Sequence, residues 1–232
     1  MDKILEIKNV NGAYGEAKVL FDISLSFETN KTSIIVGKNG AGKTTLFRII
    51  TGFMKPTSGS VNFFNNEKSQ NLVGLPPYKI ANLGIRYVAQ DKAVFSDLTV
   101  KENLELAAYP TKDYNWDFIF EYFPKLQVLL NKKGGYLSGG ERQMLIIGRA
   151  LLGKPSVLLL DEPMEGLAPL IIESFIEFIS KIKKELTLII VEQNIPVISK
   201  LADRVFLIKE GKIIADVGNK DDIKKATFEK YL

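Results

Sequence analysis

Apolar residues follow two rhythms along this chain. Short, mostly apolar runs occur at Ser33-Ile34-Ile35-Val36, Ile85–Ala89, Val157–Leu160 and 187–191. Runs this short, bounded by glycine, proline or charge, predict strands buried on both faces. Between them the apolar positions recur at helical spacing. Leu46, Ile49, Ile50 and Phe53 follow Thr44, and Met144, Leu145, Ile147 and Leu151 lie within a helix predicted over 142–152. From 155 onward the pattern predicts strand, helix (169–184), strand (187–191), helix (194–202), strand (204–209), strand (212–216) and helix (220–230), with Gly211 as the tight turn between the last two strands. Alternating strands and helices predict an α/β fold, a parallel sheet with helices on both faces.

The N-terminal part has a different pattern. Phe21, Ile23, Leu25 and Phe27 alternate with polar residues, which predicts a half-buried antiparallel strand, with Ile4–Val10 as its neighbour. A turn at 56–60 leads into a strand at 61–64. Residues 97–132 read as helical and are rich in aromatics, including Trp116, Phe118, Phe120, Tyr122 and Phe123. This segment is a candidate inserted helical subdomain, and packing accounts for its aromatics. The pattern shows no internal repeat and no heptad array.

Composition narrows the classes. The 232 residues are 46% apolar, enough for one large core with a small appended unit. A net charge of +4, with the basic residues scattered, gives no reason to expect a nucleic-acid partner. Without cysteine there is no disulfide framework, and without histidine no imidazole catalysis or ligation. The first residues lack the apolar core of a signal peptide, and the apolar runs are too short to cross a bilayer. A soluble, intracellular protein is expected, with any membrane role exercised through a partner.

Candidate chemistry then falls on three segments. Residues 37–44, Gly-Lys-Asn-Gly-Ala-Gly-Lys-Thr, match the phosphate-binding loop G-x-x-x-x-G-K-[ST] between a predicted strand and a predicted helix. Gly37, Gly40 and Gly42 let the backbone curl so that N–H groups converge on phosphate oxygens, and the helix N-terminus adds positive potential. Lys43 would reach the β- and γ-phosphates, and the Thr44 hydroxyl would hold Mg²⁺. The second segment is the strand Val157–Leu160, which ends in Asp161-Glu162. Asp161 would hold Mg²⁺, and Glu162 would orient or deprotonate a water attacking the γ-phosphate. The third is Leu137-Ser138-Gly139-Gly140-Glu141. Ser138 is a predicted helix N-cap, with Glu141 completing a capping box. Two glycines at a helix start lose propensity, and exposed N–H groups there suit an anion. That pair of phosphate-binding features raises the idea of a nucleotide sandwiched between two copies.

The ordered set of motifs resembles an ATP-binding cassette (ABC) ATPase over nearly the whole chain. Gly37, Lys38, Asn39, Gly40, Ala41, Gly42, Lys43, Thr44 and Thr45 resemble the phosphate loop, Gln90 the glutamine loop, and Leu137–Glu141 the signature motif. Tyr14 resembles the aromatic that stacks on adenine. The resemblance implies the P-loop fold with an antiparallel β-subdomain, in one domain over 1–232. Residues 1–90 and 150–232 would form its nucleotide-binding core and 91–149 its helical, signature-bearing part. It implies ATP and Mg²⁺ as cofactors, with Thr44, Gln90 and Asp161 around the metal. Ser138, Gly139 and Gly140 would reach the γ-phosphate on the opposite subunit.

Ser138–Leu151, Asp161–Pro169, Val191–Asn194, Val94–Leu104 and the Tyr231-Leu232 end are similar to an ATPase subunit of branched-chain amino-acid importers. That similarity implies a second ATPase subunit, homo- or heterodimeric, and two transmembrane permeases. A substrate-binding protein outside the membrane would act indirectly, with this subunit on the cytoplasmic face. Two positions depart from the wider family. Gln193 stands where a switch histidine is usual, and Ala168 where an aspartate usually reaches across the dimer. Glutamine can hydrogen-bond a γ-phosphate but cannot carry its proton. Gln193 is therefore a candidate beside Glu162 for the catalytic group. Three rivals stay open: a cassette for urea, lipid or lipopolysaccharide, a regulatory cassette with little turnover, and a chromosome or repair ATPase. The last needs a long coiled coil between its nucleotide motifs, for which this chain has no room.

Overall fold

The structure is a computed structural model, and it describes residues 3–65 and 68–226. Two long strands open the fold, β1 (Lys3–Tyr14) and β2 (Ala17–Glu28), followed by β3 (Thr32–Val36) and α1 (Lys43–Ile50). Next come β4 (Ser58–Asn65), β5 (Lys68–Asn71), α2 (Pro77–Asn82) and β6 (Ile85–Val88). Three short helices, α3 (Val100–Ala108), α4 (Asp117–Tyr122) and α5 (Pro124–Val128), precede the longer α6 (Gly139–Leu151). The remainder alternates: β7 (Val157–Asp161), α7 (Pro169–Ile182), β8 (Thr187–Val191), α8 (Ile195–Leu201), β9 (Arg204–Lys209), β10 (Lys212–Val217) and α9 (Lys220–Lys224).

The strands form two sheets. A four-stranded antiparallel sheet runs β2-β1-β4-β5, and a six-stranded sheet runs β10-β9-β3-β8-β7-β6. The larger sheet is parallel except for β10, which folds back on β9 through Gly211. Every residue of β3, β7 and β8 is buried, as expected for strands covered on both faces. Strand alternation divides the interior into two. Ile34, Leu158, Leu160, Leu188 and Ile190 point to the side of α3 to α7, while Ile35, Leu159, Ile189 and Val191 point to α1 and the antiparallel sheet.

Several expectations needed adjustment. The helical stretch over 97–132 is three helices because Pro110 and Pro124 lack the N–H that would carry a helix through. Its aromatics do pack: Phe123 is buried, and Trp116, Phe118 and Phe120 lie against the same core. Helix α6 starts at Gly139, directly after the Ser138 N-cap and Glu141 capping box that the sequence predicts. Strand β4 begins inside the predicted turn, at Ser58. Strand β5 and helix α2 were not anticipated; β5 reads Lys-Ser-Gln-Asn, is wholly exposed, and has no apolar alternation to betray it. Residues 227–230 of the last predicted helix, and Tyr231-Leu232, lie outside the described residues.

Candidate nucleotide site

The site collects at the carboxyl ends of β3, β7 and β8, where parallel sheets place their ligands. Strand β3 runs straight into the loop at Gly37. Gly42 is the N-cap of α1 in a left-handed conformation (φ 107°), and no side chain caps it. That conformation needs glycine, and the uncapped first turn leaves backbone N–H donors for an anion. Gly37 serves a different purpose from the curl expected of it. Its φ is not positive, but a Cβ there would lie 2.3 Å from the Ile208 carbonyl oxygen. The loop and Ile208–Glu210 enclose a hollow of about 320 Å³, lined by Gly37, Lys38, Asn39, Gly40 and Ala41.

Lys43 is buried beneath this loop. Its Nζ donates to the Gly37 and Lys38 carbonyl oxygens at 2.7 and 3.1 Å and stands 3.4 Å from Glu162 Oε1. Glu162 sits just past β7 with a positive φ of 47°, pinned by its N–H to the Val191 carbonyl oxygen. Two glutamines converge on its carboxylate. Gln90 Nε2 donates to Oε2 at 3.1 Å, and Gln193 Nε2 donates to Oε1 at 2.6 Å. Gln193 also donates to Asn39 Oδ1 at 2.8 Å, linking the end of β8 to the phosphate loop. It does not cap α8, since Asn194 does so by accepting from the Val197 N–H.

Asp161 is almost fully buried. Its Oδ2 accepts from the Tyr87 hydroxyl at 3.1 Å, and its Oδ1 has no hydrogen-bond partner among the described residues. Burial pushes its carboxyl upward and the Glu162 charge adds to that, against the pull of Thr44, Tyr87 and Lys43. A bare carboxylate oxygen beside the Thr44 hydroxyl suits a hard cation that keeps part of its water shell. Gln90 is not turned toward that pair, because its amide donates to Glu162 and to Glu165 Oε2 (2.8 Å).

The 20–165 stretch of the chain matches the family model described as ABC transporter. The chain belongs to the ABC transporter family. It is a nucleotide-binding cassette whose ATP hydrolysis is coupled to transport, and such cassettes work as dimers with transmembrane permeases. No helix among the described residues is long and apolar enough to cross a membrane. Among its relatives is the high-affinity branched-chain amino acid transport ATP-binding protein BraG of Pseudomonas aeruginosa, 40% identical over 91% of both chains. The probable branched-chain amino acid transport ATP-binding protein LivF of Archaeoglobus fulgidus is 36% identical over 98% of this chain and 97% of its own. Among solved structures, the ADP conformation of MJ1267, an ATP-binding cassette of an ABC transporter, superposes with a TM-score of 0.84. It is 28% identical, and the match covers 100% of this chain and 97% of that one.

The remaining predicted residues divide between the end of β1 and the start of α6. Tyr14 ends β1, half exposed, with its hydroxyl 3.5 Å from an Arg48 amino group on α1. Bonding to Thr45 and Arg48 holds that hydroxyl below its usual range. Ser138, Gly139 and Gly140 open α6 and do not line the phosphate-loop hollow. The capping box is complete: Ser138 Oγ accepts from the Glu141 N–H at 3.3 Å, and Glu141 Oε2 accepts from the Ser138 N–H at 2.9 Å. Lys125 and Lys132 flank Glu141 at 3.1 and 3.2 Å. The Ser138 N–H, with these lysines, pulls the Glu141 carboxyl down to about 2. Three groups near the centre escaped sequence reasoning. Tyr87 touches Asp161, Glu165 holds Gln90, and Glu192 lies buried with Oε1 accepting from the Gln193 and Asn194 N–H groups. Only Glu192 carried a signal, a carboxylate ending the strand paired with β7.

Proposed function

We propose that this cassette is the ATP-hydrolysing subunit of an importer for branched-chain or related amino acids, acting on the cytoplasmic face of the membrane. The observation that carries the catalytic half is the setting of Glu162, held at the end of β7 by Lys43, Gln90 and Gln193 at once. The identity shared with BraG across 91% of the chain supports the substrate class.

In this reading Tyr14 stacks on adenine, and the N–H groups of 37–45 bind the phosphates. Lys43 leaves its loop carbonyls for the β- and γ-phosphates. Mg²⁺ would neutralise phosphate charge, held by Thr44 and Asp161, with Gln90 joining once its side chain leaves Glu162. Glu162 then orients and deprotonates the attacking water, and Gln193, already hydrogen-bonded to Asn39, donates to the γ-phosphate. Ser138, Gly139 and Gly140 would reach the nucleotide of a second ATPase subunit, since they do not line the hollow at this chain's own loop. The proposed division into a nucleotide core (1–90 and 150–232) and a helical part (91–149) lets that second surface move.

The permeases would dock at a groove of about 280 Å³ lined by Arg86, Asp91, Ala93, Ala107 and Arg149, next to Gln90. Phe95, Leu106 and Tyr109 are exposed on the same helical part. A binding protein outside the membrane would deliver the substrate, and no nucleic acid takes part. Uptake of labelled leucine, isoleucine and valine by vesicles carrying the cassette and its permeases tests the proposal. ATP-dependent uptake that disappears with Glu162→Gln is expected. Uptake of none of the three, with ATP hydrolysis intact, would overturn the substrate assignment.

A further inference from the structure

A second cavity lies away from the nucleotide. It occupies about 250 Å³ between α5, the first turns of α6, and α7. Ligand pockets for drug-sized molecules run from roughly 300 Å³ upward, so this one suits something smaller. Phe123, Met144, Ile171, Phe175 and Phe178 form the apolar part of its lining, and Lys125 and Ser174 are among its polar residues. Among them sits Gln143, 1% exposed, with neither its Nε2 nor its Oε1 hydrogen-bonded to any described residue. A buried amide with both ends unpaired is a standing penalty that a ligand can remove. Glu177 and Lys181, one turn apart on exposed positions of α7, also line the cavity, and neither forms an ion pair among the described residues.

We propose that this cavity binds a free amino acid with an apolar side chain, and that its occupancy slows ATP turnover. The chemistry is complementary at each point. The side chain lies among the phenylalanines, Ile171 and Met144. The head group offers an acceptor carboxylate and a donor ammonium, which an unpaired amide matches with one donor and one acceptor. Glu177 and Lys181 repeat that pairing of signs at the mouth. An apolar acid without the ammonium would leave Gln143 Oε1 and Glu177 unanswered, and an apolar amine would leave Nε2 and Lys181 unanswered.

The link to turnover runs through Ile171. The amide of Gln143 is closed to water, so a ligand reaches it by displacing a wall of the cavity. Ile171 is such a wall, and it also packs on Gly140, where an added Cβ would lie 3.1 Å from its side chain. A ligand wedged between α6 and α7 therefore shifts the glycine proposed to meet the opposite nucleotide. In an importer of such amino acids, the product accumulating inside would slow its own entry; this last step alone rests on the reading of the transported substrate.

Thermal unfolding of the isolated cassette with L-leucine is the test, with 4-methylpentanoate, isoamylamine and L-glutamate as controls. Leucine at roughly ten times its dissociation constant should raise the midpoint by about 3–5 °C, and the controls should not. Gln143→Leu replaces the unpaired amide by an apolar group of similar shape, so the variant should fold at least as stably yet lose the shift. No shift in the wild type up to the solubility of leucine, or an equal shift in Gln143→Leu, overturns the site. In the assembled transporter, leucine on the cytoplasmic side should cut ATP turnover roughly fivefold or more, with Gln143→Leu insensitive. Binding without any change in turnover refutes the regulatory half. A transporter that proves to carry another substrate, while leucine still shifts the wild type and not the variant, refutes product feedback and leaves the pocket standing.

Discussion

Two helices of this cassette begin on glycine-rich turns, and they begin in opposite ways. Helix α1 starts at a left-handed Gly42 with no side chain on its first donors. Helix α6 starts at Ser138 with both arms of a capping box closed and two lysines around Glu141. The first end leaves its backbone donors without a side-chain cap, free for an anion. The second is complete before any partner appears. A cradle that must wrap a ligand gains from unfilled donors, whereas a surface that must be presented to another subunit gains from being rigid beforehand. Glycine content alone does not separate the two; the cap does.

Substitutions can break that contrast. The largest effect should come from Glu162→Gln, which keeps the α1 loop and removes the proposed base. ATP turnover should fall by roughly 10²-fold or more with nucleotide binding kept, and size-exclusion with Mg²⁺-ATP should show a trapped dimer. A monomer at saturating ATP, alone and with a partner ATPase, would sink the sandwich arrangement. Next comes Lys43→Ala, which removes the buried cation proposed to reach the β- and γ-phosphates. Affinity or turnover should drop about tenfold or more, and unchanged hydrolysis would end the phosphate-loop reading. Gln193→Ala should lower turnover less than Glu162→Gln does, because Gln193 moves no proton. Wild-type turnover in the assembled transporter would confine its role to bridging Asn39 and Glu162.

The smallest effects belong to the closed end. Ser138→Ala should lower stability by about 1 kcal/mol in denaturant titrations, the usual worth of a cap. The Glu141 carboxyl, held at about 2 in the folded chain, lies below the ordinary glutamate range. A depressed folded-state value contributes stability that is complete above the unfolded value and is lost as pH falls through the folded one. The stability gap between wild type and Glu141→Gln should therefore close between roughly pH 4.5 and pH 2. A gap that stays constant over that range would mean that the cap does not depend on the charge.

What sequence made visible, and what it did not, follows from the range of the interactions. The phosphate loop, the Asp161-Glu162 strand end and the capping box are local, so spacing alone placed them. The partners of Gln90 were hidden because Glu162 and Glu165 lie 72 and 75 residues away in the chain. Tyr87 reached Asp161 only through the register of β6 beside β7. Strand β5 was hidden for another reason: it is paired on one edge, polar on every position, and held by β4 rather than by a core.

The alternation along β7 has a consequence for how such a protein can change over generations. Leu158 and Leu160 answer to the helical side, and Leu159 to the side of α1 and the antiparallel sheet. A mutation that reshapes the helices disturbs one of these neighbourhoods and leaves the other alone. The sheet thus acts as a firewall between two inheritances, and a lineage can retailor the helical side while the packing against α1 and the antiparallel sheet is handed down unaltered.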